Sequence, residues 1–308
     1  MRRAMRDHDT EPVSREIIAL FGPTGVGKTT IAIALAARLR ARGEQPVAVS
    51  ADALQLYAGI ELLTAAPTAA EQAVLEHRLV SCVALDQRVS VAEYARLAHV
   101  EIDDLLEAGA TPIVVGGTGL YLRAALSDLD LRPPPPLAVR ERWMGELEAR
   151  GPEALHGVLS ERAPWAAEQI APGDRHRIVR ALELEEIGAL TPPPERSQLW
   201  SDVVRHPTRL IGLAMERKAL YARIDARVDQ IVAAGAREQV AAAEQAGVSA
   251  TARKALGFQE LIDGDIEALK RHTRNYARRQ LTWLRKLPNV ELIDVTGRSP
   301  DDVAAALQ

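Results

Sequence analysis

Lys28 and Thr29 close the run Gly22-Pro23-Thr24-Gly25-Val26-Gly27-Lys28-Thr29, in which Gly22 and Gly27 are separated by four residues and followed by a cation and a hydroxyl. This spacing is that of a P-loop. Backbone N–H groups at the start of a helix surround an anion, the lysine adds a charge, and the threonine can reach a magnesium ion. The chemistry is phosphate binding, and the motif alone does not specify ATP. A second candidate is Asp52 in "VAVSADALQLY". A carboxylate just past a strand can take a proton from an acceptor poised against a phosphate-bearing donor. The plainer alternative is that Asp52 caps the following helix. An ATPase places an acid at the end of an apolar strand to help hold magnesium. Here "TPIVV" ends in Gly116-Gly117, and Asp86 after "VSCVAL" is the possible substitute.

The elements that must position these groups alternate between strand and helix. Strand-like runs are "EIIALFG", "PVAVSAD", "HRLVSCVAL" and "TPIVVGG", with helices near 28–42 and 91–108, the latter opened by a Ser90/Glu93 capping box. Such alternation predicts a P-loop NTPase-like α/β fold, a parallel sheet with helices on both faces. Ligands then sit beyond the carboxyl ends of the strands, where the P-loop, "SADALQLY" and "GGTGLY" converge. The pattern changes at "LRPPPP" to helices only, closing at "GALTPPP", which predicts an all-helical insertion between proline-rich hinges. The expected organisation is a catalytic core over 15–136, the insertion over 137–200, and a continuation of the core over 201–308. That continuation begins with a strand near 210–215, a long helical region over 216–246, a helix near 265–287 and the strand "VELIDV".

The chain has 308 residues, 47% of them hydrophobic, enough for a sizeable core. One cysteine, Cys82, rules out an internal disulfide and fits a reducing compartment. The amino-terminal residues 1–14 read as a solvated tail without the apolar stretch of a secretory signal. No apolar run approaches the roughly 20 residues of a membrane span. A cytoplasmic protein, expected to be a monomer, is the simplest expectation. The net charge of −4 gives no global sign of nucleic-acid binding, so such a surface must be local. One local candidate is the acid-free segment from Lys270 to Lys286. At about 100° per residue, positions 270, 271, 274, 278 and 285 form one basic stripe, with Ile266, Leu269, Tyr276, Trp283, Leu284 and Leu287 on another face. A solvated helix face is the alternative.

"GPTGVGKT", "SADALQLYAGI", "TAAPT", "HRLV", "VGGTGLYLRAAL", "DRHRIVRALEL", "LYARIDARVD", "ALGFQEL" and "RRQLTWLRK" occur in one order from about residue 17 to 295. In this the chain resembles the tRNA dimethylallyltransferases, the IPP transferase family. The resemblance implies that the P-loop holds dimethylallyl diphosphate with Mg2+ at Thr29, and that Asp52 is the general base. Asp52, Ala53, Leu54 and Gln55 would face the target base, and Thr118 would line the reaction channel. Arg223 and Arg227 would close on the diphosphate. Arg140, His176, Arg177 and Arg180 would contact tRNA, with Arg274 and Arg278 of the basic stripe. Two positions depart from the family pattern. Ala53-Leu54 replaces the usual Ser-Met, and Ala66 stands where "GTAKP" has its lysine. A small-molecule kinase and a catalytically altered RNA- or nucleotide-binding protein are the competing interpretations.

Overall fold

Short apolar runs rich in Val, Ile and Leu become the strands of the computed structural model, which describes residues 16–192 and 197–307. The expected amino-terminal tail and Pro193-Pro194 of the second proline run lie outside the described residues. In chain order the elements begin β1 (Ile17–Phe21), α1 (Lys28–Ala41), β2 (Pro46–Ser50), α2 (Glu61–Thr64), α3 (Ala69–Val74), β3 (His77–Arg78), α4 (Val91–Glu107), β4 (Thr111–Gly116) and α5 (Gly119–Leu126). They continue with α6 (Leu137–Arg162), α7 (Pro164–Glu168), α8 (Arg175–Glu186), β5 (Thr208–Ala214) and α9 (Arg217–Ala233). The chain ends with α10 (Ala236–Ala246), α11 (Phe258–Asp263), α12 (Ile266–Leu284), β6 (Val290–Asp294) and α13 (Pro300–Ala306).

All six strands are parallel, in the order β3-β2-β4-β1-β5-β6. Consecutive residues of β1, β2 and β4 are buried, so both faces of the central sheet are covered. Register decides where the loops meet. Val115 pairs with Leu20 on one side and Ser50 on the other, so β1, β2 and β4 end level and release their following loops side by side.

Two elements differ from the sequence expectation. "HRLVSCVAL" pairs with β2 only at His77 and Arg78, because Leu79 and Ser81 take positive φ (58° and 48°) and end the extended run. Its continuation instead donates from Ser81, Cys82 and Val83 to the carbonyls of Gln55 and Leu56. The long helical region over 216–246 divides at Gly235, whose φ of 96° no helix accommodates.

The chain falls into two compact units, one of residues 129–201 and one of the flanking segments. In the smaller unit α6, α7 and α8 bury Trp143, Leu147, Leu155, Leu159, Ile178 and Leu182 in their own core. Within α6 the run is broken at Gly151 (φ 79°) followed by Pro152. In the larger unit, the ends flanking the smaller one are tied together. Arg205 N–H donates to the Leu126 carbonyl and Ser127 Oγ to the Val203 carbonyl, each at 2.8 Å.

Candidate active site

Glycine makes the loop between β1 and α1 possible. Gly25 and Gly27 have φ of 80° and 100°, a region that side-chain-bearing residues rarely enter. Gly27 also gives room to a cation: a Cβ placed there would lie 3.3 Å from a terminal nitrogen of Arg223. Lys28 is the first residue of α1, and its Nζ donates to the Gly22 and Pro23 carbonyls at 3.1 Å each. Gly22 and Pro23 thus orient the lysine, and Val26 anchors the loop in the core. Burial lowers the Lys28 pKa to about 8, with Asp52 opposing the shift and Arg227 adding to it.

Asp52 follows β2 and precedes a turn, not a helix. One carboxylate oxygen accepts the Leu54 N–H at 3.1 Å, an Asx-type turn, so the helix-cap alternative does not hold. Gln55 closes the same segment. Its Oε1 accepts from Ser50 Oγ at 3.0 Å, and its Nε2 donates to the Ala65 carbonyl at 3.1 Å. Ala65, with φ 53°, and Ala66 form the turn in which the family's lysine is absent. Thr118 occupies the N-cap position of α5 without a capping bond from its side chain; its Oγ1 lies 3.3 Å from Tyr276 Oη. Burial, with the charge of Asp52, raises the Tyr276 hydroxyl to about 12, so it remains a hydrogen-bond donor at neutral pH.

These groups surround one cavity of about 860 Å³ within the larger unit. Thr24, Gly25, Gly27, Lys28 and Thr29 line it, as do Asp52, Ala53, Leu54, Gln55 and Thr118. Arg223 and Arg227, one turn apart on α9, line it too, and no ion pair is made by either among the described residues. Burial lowers the Arg227 pKa, with Glu71 and Asp52 opposing. Three cations, a carboxylate and a hydroxyl lining one cavity suit an anionic leaving group and a nucleophile that must lose a proton. Asp86 is exposed and outside the cavity lining.

The residues also fit a magnesium ion of the kind shared with a bound phosphate. No cluster of three or more His, Cys, Asp or Glu suited to a metal occurs among the described residues. Thr29 lines the cavity and would supply its hydroxyl, and magnesium commonly takes one or two protein ligands with phosphate oxygens and water.

Sequence reasoning missed two residues of α12. Tyr276 reads as a packing residue, yet it lines the cavity beside Thr118. Gln280, one turn further, is buried and reaches the P-loop. A glutamine four residues from Tyr276 on an otherwise apolar face was the signal available. Lys254 and Arg279 add charge to the same lining.

The residues expected to meet RNA fall in two places. Arg140, His176, Arg177 and Arg180 line a second cavity, about 470 Å³, inside the smaller unit. There the buried Glu183 carboxylate sits 3.3 Å from Arg180 and 3.8 Å from Arg140, holding both. On α12 the basic stripe is narrower than the sequence suggests. Lys270 pairs with Asp229 at 2.7 Å and Arg274 with Asp225 at 2.5 Å, because α9 packs alongside with acids at these positions. Arg278 is exposed, and its guanidinium donates to Asn275 Oδ1 on the same helix at 2.9 Å.

Comparison with known proteins places this architecture. The family model described as IPP transferase matches residues 55–287. A tRNA dimethylallyltransferase of Kineococcus radiotolerans is 39% identical over 301 residues, covering 94% of each chain. That of Thermobifida fusca is 40% identical over 302 residues, covering 94% of this chain and 93% of its own. The crystal structure of the full-length tRNA isopentenylpyrophosphate transferase from Bacillus halodurans superimposes with a TM-score of 0.68 at 32% identity, covering 95% of this chain and 94% of its own.

Proposed function

The chain belongs to the IPP transferase family, and from that premise we propose the reaction performed in the larger cavity. A dimethylallyl group passes from dimethylallyl diphosphate to the exocyclic N6 amine of an adenosine adjacent to the tRNA anticodon, and diphosphate is released. The observation that carries the proposal is the joining of two chemistries in one cavity. Lys28, Arg223 and Arg227 line it together with Asp52 and Thr118.

The allylic C–O bond breaks with its electron pair leaving on the diphosphate, and the adenine nitrogen supplies the pair for the new C–N bond. Negative charge grows on the leaving oxygen, where the P-loop amides, Lys28 and the two arginines stabilise it. Magnesium held at Thr29 would add charge neutralisation at the same group. The adenine amine is a weak nucleophile, and Asp52 takes its proton as the bond forms. Thr118, with its hydroxyl free of capping duty and next to Tyr276, orients the base. Arg140, His176, Arg177 and Arg180 on one unit and Arg278 on the other are assigned to the tRNA. A monomer in the cytoplasm, without membrane association, completes the proposal; among the described residues no helix is long and apolar enough to cross a membrane.

The deciding experiment incubates the protein with labelled dimethylallyl diphosphate and unmodified tRNA, with AMP as an alternative acceptor and ATP-dependent phosphorylation assayed in parallel. Label on tRNA is the expected result. Label on AMP alone, or phosphorylation without prenyl transfer, overturns it.

A further inference from the structure

Gln280 is only 3% exposed and takes no part in the chemistry above, yet its carboxamide is bonded at both its oxygen and its nitrogen. Oε1 accepts the Thr24 N–H of the P-loop at 2.8 Å, and Nε2 donates to the Gly117 carbonyl at 2.8 Å. Thr24 belongs to the loop that holds the leaving group. Gly117 directly precedes Thr118, on the loop that receives the acceptor. The sheet aligns these two segments only as far as the pairing of Phe21 with Gly116. Beyond that pair, Gln280 connects them from a third element. Position 117 is shaped for this contact: a Cβ there would lie 2.3 Å from Gln280 Nε2 and 3.3 Å from Lys28 Nζ. A buried amide satisfied at both ends is held in one orientation, and losing either partner is costly.

We propose that Gln280 is a positioning residue that sets the gap between the departing diphosphate and the attacking amine by tying the P-loop to the Gly117–Thr118 loop. The proposal rests on the transferase reaction. Near-attack geometry is sensitive to displacements of about 1 Å, which can lower rates on the order of 10²-fold. Loss of this tie therefore acts on the chemical step more than on substrate binding.

The test uses Gln280→Leu and the isosteric Gln280→Glu in the full chain, with thermal unfolding to confirm folding. Gln280→Leu is expected to lower kcat by roughly 10- to 10²-fold, with KM for tRNA and for dimethylallyl diphosphate changed by less than about threefold. In Gln280→Glu, a protonated carboxyl can accept from Thr24 and donate to Gly117, whereas an ionised one cannot donate. Its activity relative to wild type is expected to rise as pH falls. Lys28, Asp52, Glu61, Glu71, Arg223, Arg227, Lys254, Tyr276 and Arg279 are the titratable groups lining the same cavity, and wild type and variant share them, so the ratio isolates residue 280. Amide hydrogen exchange at Thr24 is read alongside and should be faster in the leucine variant. A folded leucine variant with kcat within twofold of wild type, or a pH-independent glutamate ratio, overturns the proposal. So does unchanged Thr24 exchange, which judges the tie even where wild-type transfer fails and the transferase reaction itself is refuted. Should the leucine variant not fold, the glutamate ratio decides.

Discussion

Asp52 carries two tasks that a single substitution separates. Its carboxylate accepts the Leu54 N–H, which an asparagine oxygen can also do, but only the carboxylate can take a proton. Asp52→Asn should lower single-turnover transfer at saturating substrates by roughly 10² to 10⁴-fold, leaving the unfolding temperature nearly unchanged. A rate within a few-fold of wild type would remove Asp52 from the mechanism. Lys28 gives a pH signature. With its pKa lowered to about 8, the free protein holds this charge below that pH and loses it above. Since kcat/KM reports groups of the free enzyme, kcat/KM for dimethylallyl diphosphate should decline as pH rises through about 8. Lys28→Ala should remove this decline and cost on the order of 10²-fold in kcat/KM. A profile flat across that region in the wild-type protein would show that the charge of Lys28 does not serve the donor.

Helix α12 serves two faces whose roles cannot be told apart by charge alone. One face is internal to the enzyme: Tyr276 and Gln280 meet the catalytic loops, while Lys270 and Arg274 are paired with α9. The other face is open, and Arg278 stands on it. Arg278→Gln should therefore lower the slope of log K against log salt for tRNA binding by about 1, the loss of one phosphate contact. Arg274→Gln should leave that slope nearly unaltered and cost under about 1 kcal/mol of stability, since its ion pair is part-exposed. Equal slope changes in the two single variants would mean that Arg274 leaves Asp225 to meet the RNA.

At the scale of the whole molecule, the smaller unit is an insertion whose removal the larger one should survive. The ends it departs from are hydrogen-bonded together, so a short glycine-serine linker can replace residues 129–201 without stretching. Each unit also buries its own core. The shortened protein should fold and keep its affinity for inorganic diphosphate within a few-fold. Its affinity for tRNA should fall by at least about tenfold, because Arg140, His176, Arg177 and Arg180 leave together. Calorimetry with diphosphate and filter binding with tRNA measure the two. Retained tRNA affinity would assign recognition to the larger unit alone.

The sequence by itself determined the parts whose physics is local. The P-loop is legible because its glycines, lysine and threonine act within a few residues of one another. The Ser90/Glu93 capping box forms as spacing requires, and alternating apolar and amphipathic runs yield the parallel sheet. Ordered motifs identified the family. Tertiary structure alone decided what depends on distant partners. Whether Arg274 is free or paired depends on Asp225, 49 positions away, and Gln280 reaches Thr24 across 256. The shortening of the third strand to His77 and Arg78 followed from positive φ at Leu79 and Ser81, residue types that do not announce it. Composition sets which groups are available for chemistry. Only packing brings a donor to its acceptor, because hydrogen bonds and ion pairs depend on distances of a few ångströms that no local pattern encodes.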